Sequence, residues 1–140
     1  MQPLIVMAAI IRRADTVLLT RRPEGSRHGG LWEFPGGKLD PGETPTQGLA
    51  RELREELDIR AHVGDIFDVA YYRYDWGPVL ILAYDCRIMD GHIRNLEVAE
   101  HRWVPVTELD TLPILPADAP IISKLKKFCI YSPRVGSQLP

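Results

Sequence analysis

The residues best suited to chemistry lie between Gly37 and Ile59, in GKLDPGETPTQGLARELREELDI. Thr44 and Pro45 open a helix there: threonine caps free backbone N–H groups, and proline suits the first helical position. On a wheel turning about 100° per residue, Leu49, Ala50, Leu53 and Leu57 share the apolar side. Glu52, Glu55 and Glu56, spaced i, i+3 and i+4, project together from the neighbouring arc. Like charges at that spacing cost a helix a few tenths of a kcal/mol per pair, roughly, so folding alone does not favour them. Converging carboxylates beside a glycine loop suit a hard dication, Mg²⁺ or in its place Mn²⁺, which prefers oxygen ligands and bridges to substrate phosphates. The plainer alternative is a solvated acidic face partnered by Arg51 and Arg54.

The surrounding pattern decides between the two. The segment resembles the Nudix box, Gly-x5-Glu-x7-Arg-Glu-U-x-Glu-Glu-x-Gly-U, with U a bulky aliphatic residue. Gly37, Glu43, Arg51, Glu52, Leu53, Glu55, Glu56 and Ile59 all stand at its fixed positions. Asp58 alone departs, where the family has glycine. The position follows the helix end and asks for a left-handed residue, which aspartate tolerates better than most.

The resemblance implies a Nudix fold and a set of roles. Glu52, Glu55 and Glu56 would bind Mg²⁺ and carry catalysis, with the Gly36 carbonyl as a further ligand. Gly37 and the ion pair Glu43–Arg51 would shape the box. Beyond the box the chain is similar to the MutT-type nucleoside triphosphate pyrophosphohydrolases, and to their CTP pyrophosphohydrolase branch, in LLTRRPEG, LWEFPGGKLDPGET, HRWVPVTEL and LPADAPIISKLKKF. That likeness implies hydrolysis of a nucleoside triphosphate to monophosphate and diphosphate. An oxidised purine triphosphate such as 8-oxo-dGTP is the expected substrate, in nucleotide-pool sanitation. A CTP, dCTP or modified-pyrimidine substrate is the alternative, and a non-catalytic nucleotide-binding domain a further one.

Four substrate contacts are expected. Arg22, at the end of the second strand, would meet base or phosphate, Lys38 would reach a phosphate, and Phe34 would wall the base pocket or join the core. Asp118 would read the base, although as the opening residue of the last helix it could equally be an ordinary cap. MutT-type enzymes that read 8-oxoguanine have asparagine there, and the CTP branch has aspartate. Glu97 is the expected loop carboxylate, a metal ligand or base, with Glu100 as its rival. Tyr72, Tyr74 and Trp76 could stack on a base or simply pack.

The elements that must position these residues are a mixture. Residues 4–11 form an unbroken apolar run, as in a strand buried on both faces. A second strand is expected at 16–22, a short extended piece at 32–35, and loops at 23–31 and 36–42. A hairpin of strands 66–75 and 78–88 turns at Trp76-Gly77-Pro78, another strand spans 101–105, and an amphipathic helix spans 118–131 with Ile121, Ile122, Leu125, Phe128 and Cys129 on one stripe. The fold class is α+β, a mixed sheet sandwiched between helices. One domain is expected over 1–140, with 132–140 a loose tail.

Composition sets outer limits. The chain has 140 residues, net charge -2 and 45% hydrophobic content, which excludes disordered and fibrous classes. The balance argues against a nucleic-acid polymer as partner, and no apolar run is long enough for a membrane span. Cys86 and Cys129 are expected to be reduced thiols of a cytoplasmic protein. The expected assembly is a monomer or homodimer.

Overall fold

A computed structural model describes residues 2–131, and side chains through Phe128. Strand β1 (Leu4–Arg13) turns at Ala14, where φ is 53°, into β2 (Thr16–Arg21). The two pair only beside that turn, Arg12 with Val17 and Arg13 with Thr16. Strand β2 then swings away to pair with β3 (Trp32–Glu33) and β7 (Glu100–Pro105). Its departure frees one edge of β1, and β4 (Gly36–Lys38) fills it, Val6 opposite Lys38 and Ala8 opposite Gly36. The expected loop at 36–42 therefore begins as a strand. The free edge supplies hydrogen-bonding partners, and glycine permits the approach: a Cβ on Gly36 would overlap the Met7 carbonyl.

On its other edge β1 runs parallel to β6 (Gly77–Asp90), which is antiparallel to β5 (Arg60–Tyr74). The hairpin turns at Asp75-Trp76, one residue earlier than expected, and β5 begins at Arg60 instead of 66. Register shifts between Val63 and Ile66, and again between Ile66 and Asp68, hide its first half from a reading of alternation.

Strand β1 is buried on both faces, as its apolar run implies. Met7, Ala9 and Ile11 pack with Leu49, Leu53 and Leu57 of helix α1 (Pro45–Leu57). Ala8 and Ile10 join the opposite core with Ile121, Ile122 and Leu125 of helix α2 (Ala119–Tyr131). The result is a mixed sheet between helices. Phe128 departs from the expected stripe: it is 50% exposed, lying against the Phe67 ring at 5.7 Å. The Cys129 side chain and the expected tail 132–140 lie outside the described residues.

Helix α1 starts as its sequence requires. The Thr44 hydroxyl accepts from the Gln47 amide, and the Gln47 side chain accepts from the Thr44 amide, a reciprocal capping box. It stops at Asp58, left-handed at φ 59°, which fills the role glycine has in the box.

Candidate functional site

A cavity of about 550 Å³ runs from the face of α1 to the start of α2. Glu52, Glu56, Gly36, Gly37 and Lys38 line one end. Phe34, Leu115, Ala117, Asp118, Tyr74 and Trp76 line the other. Strand β4 brings the glycines beneath α1 by pairing with β1. A Cβ on Gly37 would overlap the Glu52 carboxylate, so a larger residue there would displace that acid.

Arg51 organises the acidic face. Its Nε and Nη2 donate to the two Glu43 oxygens at 3.0 and 2.8 Å, and Nη2 also donates to the Lys38 carbonyl at 3.1 Å. Nη1 reaches Glu52 at 3.1 Å and Glu55 at 3.0 Å. These bonds hold the Glu43 carboxyl below its ordinary range and push Arg51 up. The expected Glu43–Arg51 pair is thus present and also tethers two glutamates of the trio.

Burial raises the Glu52 carboxyl, with Glu55 and Glu97 adding repulsion against the pull of Arg51. Burial raises Glu56 further, to about 8, helped by Glu52, Glu33 and Glu97 and opposed by a hydrogen bond from the Gly36 backbone. Glu97 enters through its backbone: the loop after β6 folds onto the end of α1, and the Leu96 and Glu97 amides donate to the Glu56 carbonyl at 3.0 and 3.3 Å. Glu100 is otherwise engaged, by Arg21 at 3.3 Å and Arg102 at 3.0 Å. Of the two loop candidates, Glu97 is the one whose charge acts on Glu52 and Glu56.

Among the described residues, no three His, Cys, Asp or Glu side chains are gathered closely enough to hold an ion as they stand. Arg51 Nη1 lies between Glu52 and Glu55 and holds both. The donor set nevertheless fits a hard dication: crowded carboxylate oxygens, two of them raised by burial and mutual repulsion, which a cation would relieve.

At the far end, Asp118 ends a short 3₁₀ turn (Pro116–Asp118) directly ahead of α2. It is buried at 3% exposure, and its Oδ2 accepts the Phe34 amide at 3.0 Å. Burial, then the nearby Glu33 charge, raises it to about 8. Phe34 both joins the core and lines the cavity. Arg22 lines the cavity but is held, Nη1 to Glu33 at 3.0 Å and Nε to the Arg27 carbonyl at 2.6 Å. Lys38 sits exposed at the rim.

Sequence reasoning passed over Glu33, Arg27 and His28, which also line the cavity. Trp76 Nε1 donates to His28 Nε2 at 3.3 Å, and the Arg27 guanidinium lies 4.1 Å over the Trp76 ring. Tyr74 stacks beside Trp76 at 5.3 Å, and its hydroxyl accepts the Ala117 amide. Tyr72 packs against the core. The Gly/Pro-rich loop 23–31 concealed Arg27 and His28, because only the tertiary fold lays it over the hairpin tip. The one available signal was the aromatic run at 72–76.

These arrangements have counterparts. The NUDIX domain profile matches residues 1–125. The chain is 40% identical over 125 residues to the CTP pyrophosphohydrolase of Escherichia coli K12, covering 87% of this chain and 90% of that one. It is 30% identical over 128 residues to the 8-oxo-dGTP diphosphatase of the same organism, covering 91% and 99%. The crystal structure of a MutT protein from Methanosarcina mazei Go1 superposes with a TM-score of 0.81 at 28% identity, covering 90% and 95%. With its box, cavity and sheet, the chain belongs to the Nudix family and is a Nudix hydrolase. Nudix hydrolases generally use divalent metal ions and act on nucleotide substrates. No helix among the described residues is long and apolar enough to cross a membrane.

Proposed function

We propose that this protein is a Mg²⁺-dependent nucleoside triphosphate pyrophosphohydrolase, releasing monophosphate and diphosphate, and that it clears oxidised purine triphosphates such as 8-oxo-dGTP from the nucleotide pool. The observation that carries this reading is one cavity lined both by the acidic face of α1 and by apolar and aromatic residues together with Asp118. One end suits a cation-bridged polyphosphate and the other a planar base. The relatives named above act at the same kind of bond.

Glu52, Glu55, Glu56 and Glu97 would hold Mg²⁺ together with the Gly36 carbonyl. When bound, the ion neutralises phosphate charge and activates water for attack at phosphorus. Arg51 keeps Glu52 and Glu55 aimed at that side of the helix. Lys38 offers a cation at the rim for a phosphate. Phe34, Val79 and Ile81 supply an apolar floor that keeps water from the base. Glu33 and Asp118 present two carboxyl groups near each other, and guanine carries two adjacent donors, N1–H and N2–H, on one edge. A single domain, working in the cytoplasm as monomer or homodimer without nucleic-acid polymer or membrane, suffices for this activity. Cys86 fits that setting: burial first, then the Asp85 charge, pushes its thiol up to about 12, away from reactivity.

A second reading is a CTP or dCTP pyrophosphohydrolase, favoured by Asp118 in place of asparagine and by the relative of that name. A panel of triphosphates assayed with Mg²⁺, with products identified, separates the two. The first reading expects 8-oxo-dGTP to exceed dGTP and CTP in kcat/KM. Equal rates for dGTP and its oxidised form, with CTP faster, transfer the assignment to the second.

A further inference from the structure

The loop between β6 and β7 carries Glu97 and is anchored at both ends by backbone. On one side the Arg94 amide donates to the Leu57 carbonyl at 2.9 Å, and the Leu96 and Glu97 amides to the Glu56 carbonyl. On the other the Ala99 amide donates to the Arg21 carbonyl at 3.0 Å. One side-chain contact spans the stretch between. His101 Nδ1 lies 2.6 Å from Asn95 Oδ1, six residues apart, with Glu97 inside the closed segment. In the Nδ1–H tautomer the ring donates and the amide oxygen accepts, and a doubly protonated ring still donates. His101 belongs to β7, paired through Thr20 to β2, so the contact ties a loop side chain to the sheet.

We propose that Asn95 and His101 form a brace that positions Glu97 against the end of α1, making both of them positioning residues for phosphate-bond hydrolysis. This rests on the reading of Glu97 as a working carboxylate. The anchors on either side fix where the loop touches the protein. The brace fixes the path between them, and so the direction in which Glu97 projects. A carboxylate that must meet a substrate-bound cation loses rate through misplacement of an ångström or less. Glu100, committed to Arg21 and Arg102, does not replace it.

The test combines Asn95→Ala, His101→Ala, Asn95→Asp and Glu97→Gln with the double variant Asn95→Ala/Glu97→Gln. Amide hydrogen exchange in the metal-free protein reads the brace without turnover. Asn95→Ala should raise exchange at Leu96 and Glu97 about tenfold while the middle of α1 is unchanged. With Mg²⁺ and substrate, Asn95→Ala and His101→Ala should each lower kcat about tenfold with KM nearly constant. Asn95→Asp, which keeps the acceptor, should restore most of it. In the Glu97→Gln background, Asn95→Ala should lower kcat no further. Unchanged exchange at Leu96 and Glu97 overturns the brace, as does full additivity of the double variant. Wild-type turnover in Glu97→Gln overturns both the brace's purpose and the role of Glu97, while leaving triphosphate hydrolysis standing. A protein that hydrolyses no triphosphate removes the proposed function, and the exchange result then still decides whether the brace exists.

Discussion

Arg51 grips both oxygens of Glu43, through Nε at 3.0 Å and Nη2 at 2.8 Å, while its third nitrogen reaches Glu52 and Glu55. One planar guanidinium thus joins the loop before α1 to two members of the glutamate trio. Lysine has the charge but not the fork. Arg51→Lys should therefore leave the fold intact and lower kcat about 10- to 100-fold, as loss of a ligand-orienting contact commonly does. Steady-state kinetics at saturating Mg²⁺, beside a circular dichroism melt, checks it.

Glu55 is half exposed and its removal empties no core space. Glu55→Gln should reduce turnover about 100-fold or more with little change in melting temperature. Near-normal hydrolysis by that variant would remove Glu55 from the metal site.

The raised carboxyls make a pH prediction with a definite sign. Glu56 is held at about 8 against an ordinary 4.5, and Asp118 at about 8 against 3.8. For both, the protonated form favours the folded state. That contribution is complete below the ordinary values and is lost as pH rises through about 8. The metal-free protein should lose thermal stability between pH 5 and pH 9, roughly, and Glu56→Gln should flatten the slope. Mg²⁺ favours the ionised form, so binding should release protons and tighten with rising pH up to about 8. Calorimetry in buffers of different ionisation enthalpy counts those protons.

A methyl group on Gly37 would meet the Glu52 carboxylate, the movable end of its side chain. Gly37→Ala should displace Glu52, weakening Mg²⁺ binding and turnover together while the β1–β4 pairing survives. A Mg²⁺ titration of activity should show a higher half-saturation point.

Asp118 has a structural contact and, in the proposed function, a part in selectivity. Asp118→Ala leaves the buried Phe34 amide without its acceptor and should cost about 1–3 kcal/mol. Asp118→Asn keeps an acceptor oxygen for that amide and replaces a titrating carboxyl with a permanently neutral amide donor. It should preserve the melting temperature while changing the ratio of kcat/KM between purine and pyrimidine triphosphates by about tenfold. An unchanged ratio would take Asp118 out of base recognition.

Features governed by local chemistry were readable in the residues themselves. Thr44 caps α1 ahead of Pro45, Asp58 takes the left-handed position, and the apolar run of β1 meets a core on each face. Features created by tertiary pairing were not. Gly36–Lys38 become a strand only because β2 leaves the edge of β1. The start of β5 is masked by its bulges. Asp118 was expected at the base, but its bond to the Phe34 amide joins residues far apart in the chain and had no local signal. The acidic end, Glu97 apart, is strand β4 and helix α1, close together in sequence. The aromatic end draws on several separate segments, so Glu33, Arg27 and His28 carried no linear signal.

The most direct measurement is a crystal structure with Mn²⁺ and an α,β-methylene nucleoside triphosphate, using anomalous scattering to locate the ion. The expected result is an ion in contact with Glu52, Glu55 and Glu56, the triphosphate over Gly36–Lys38, and the base against the Phe34 ring with Asp118 at its edge. An ion or nucleotide bound elsewhere, with that face of α1 bare, would contradict it.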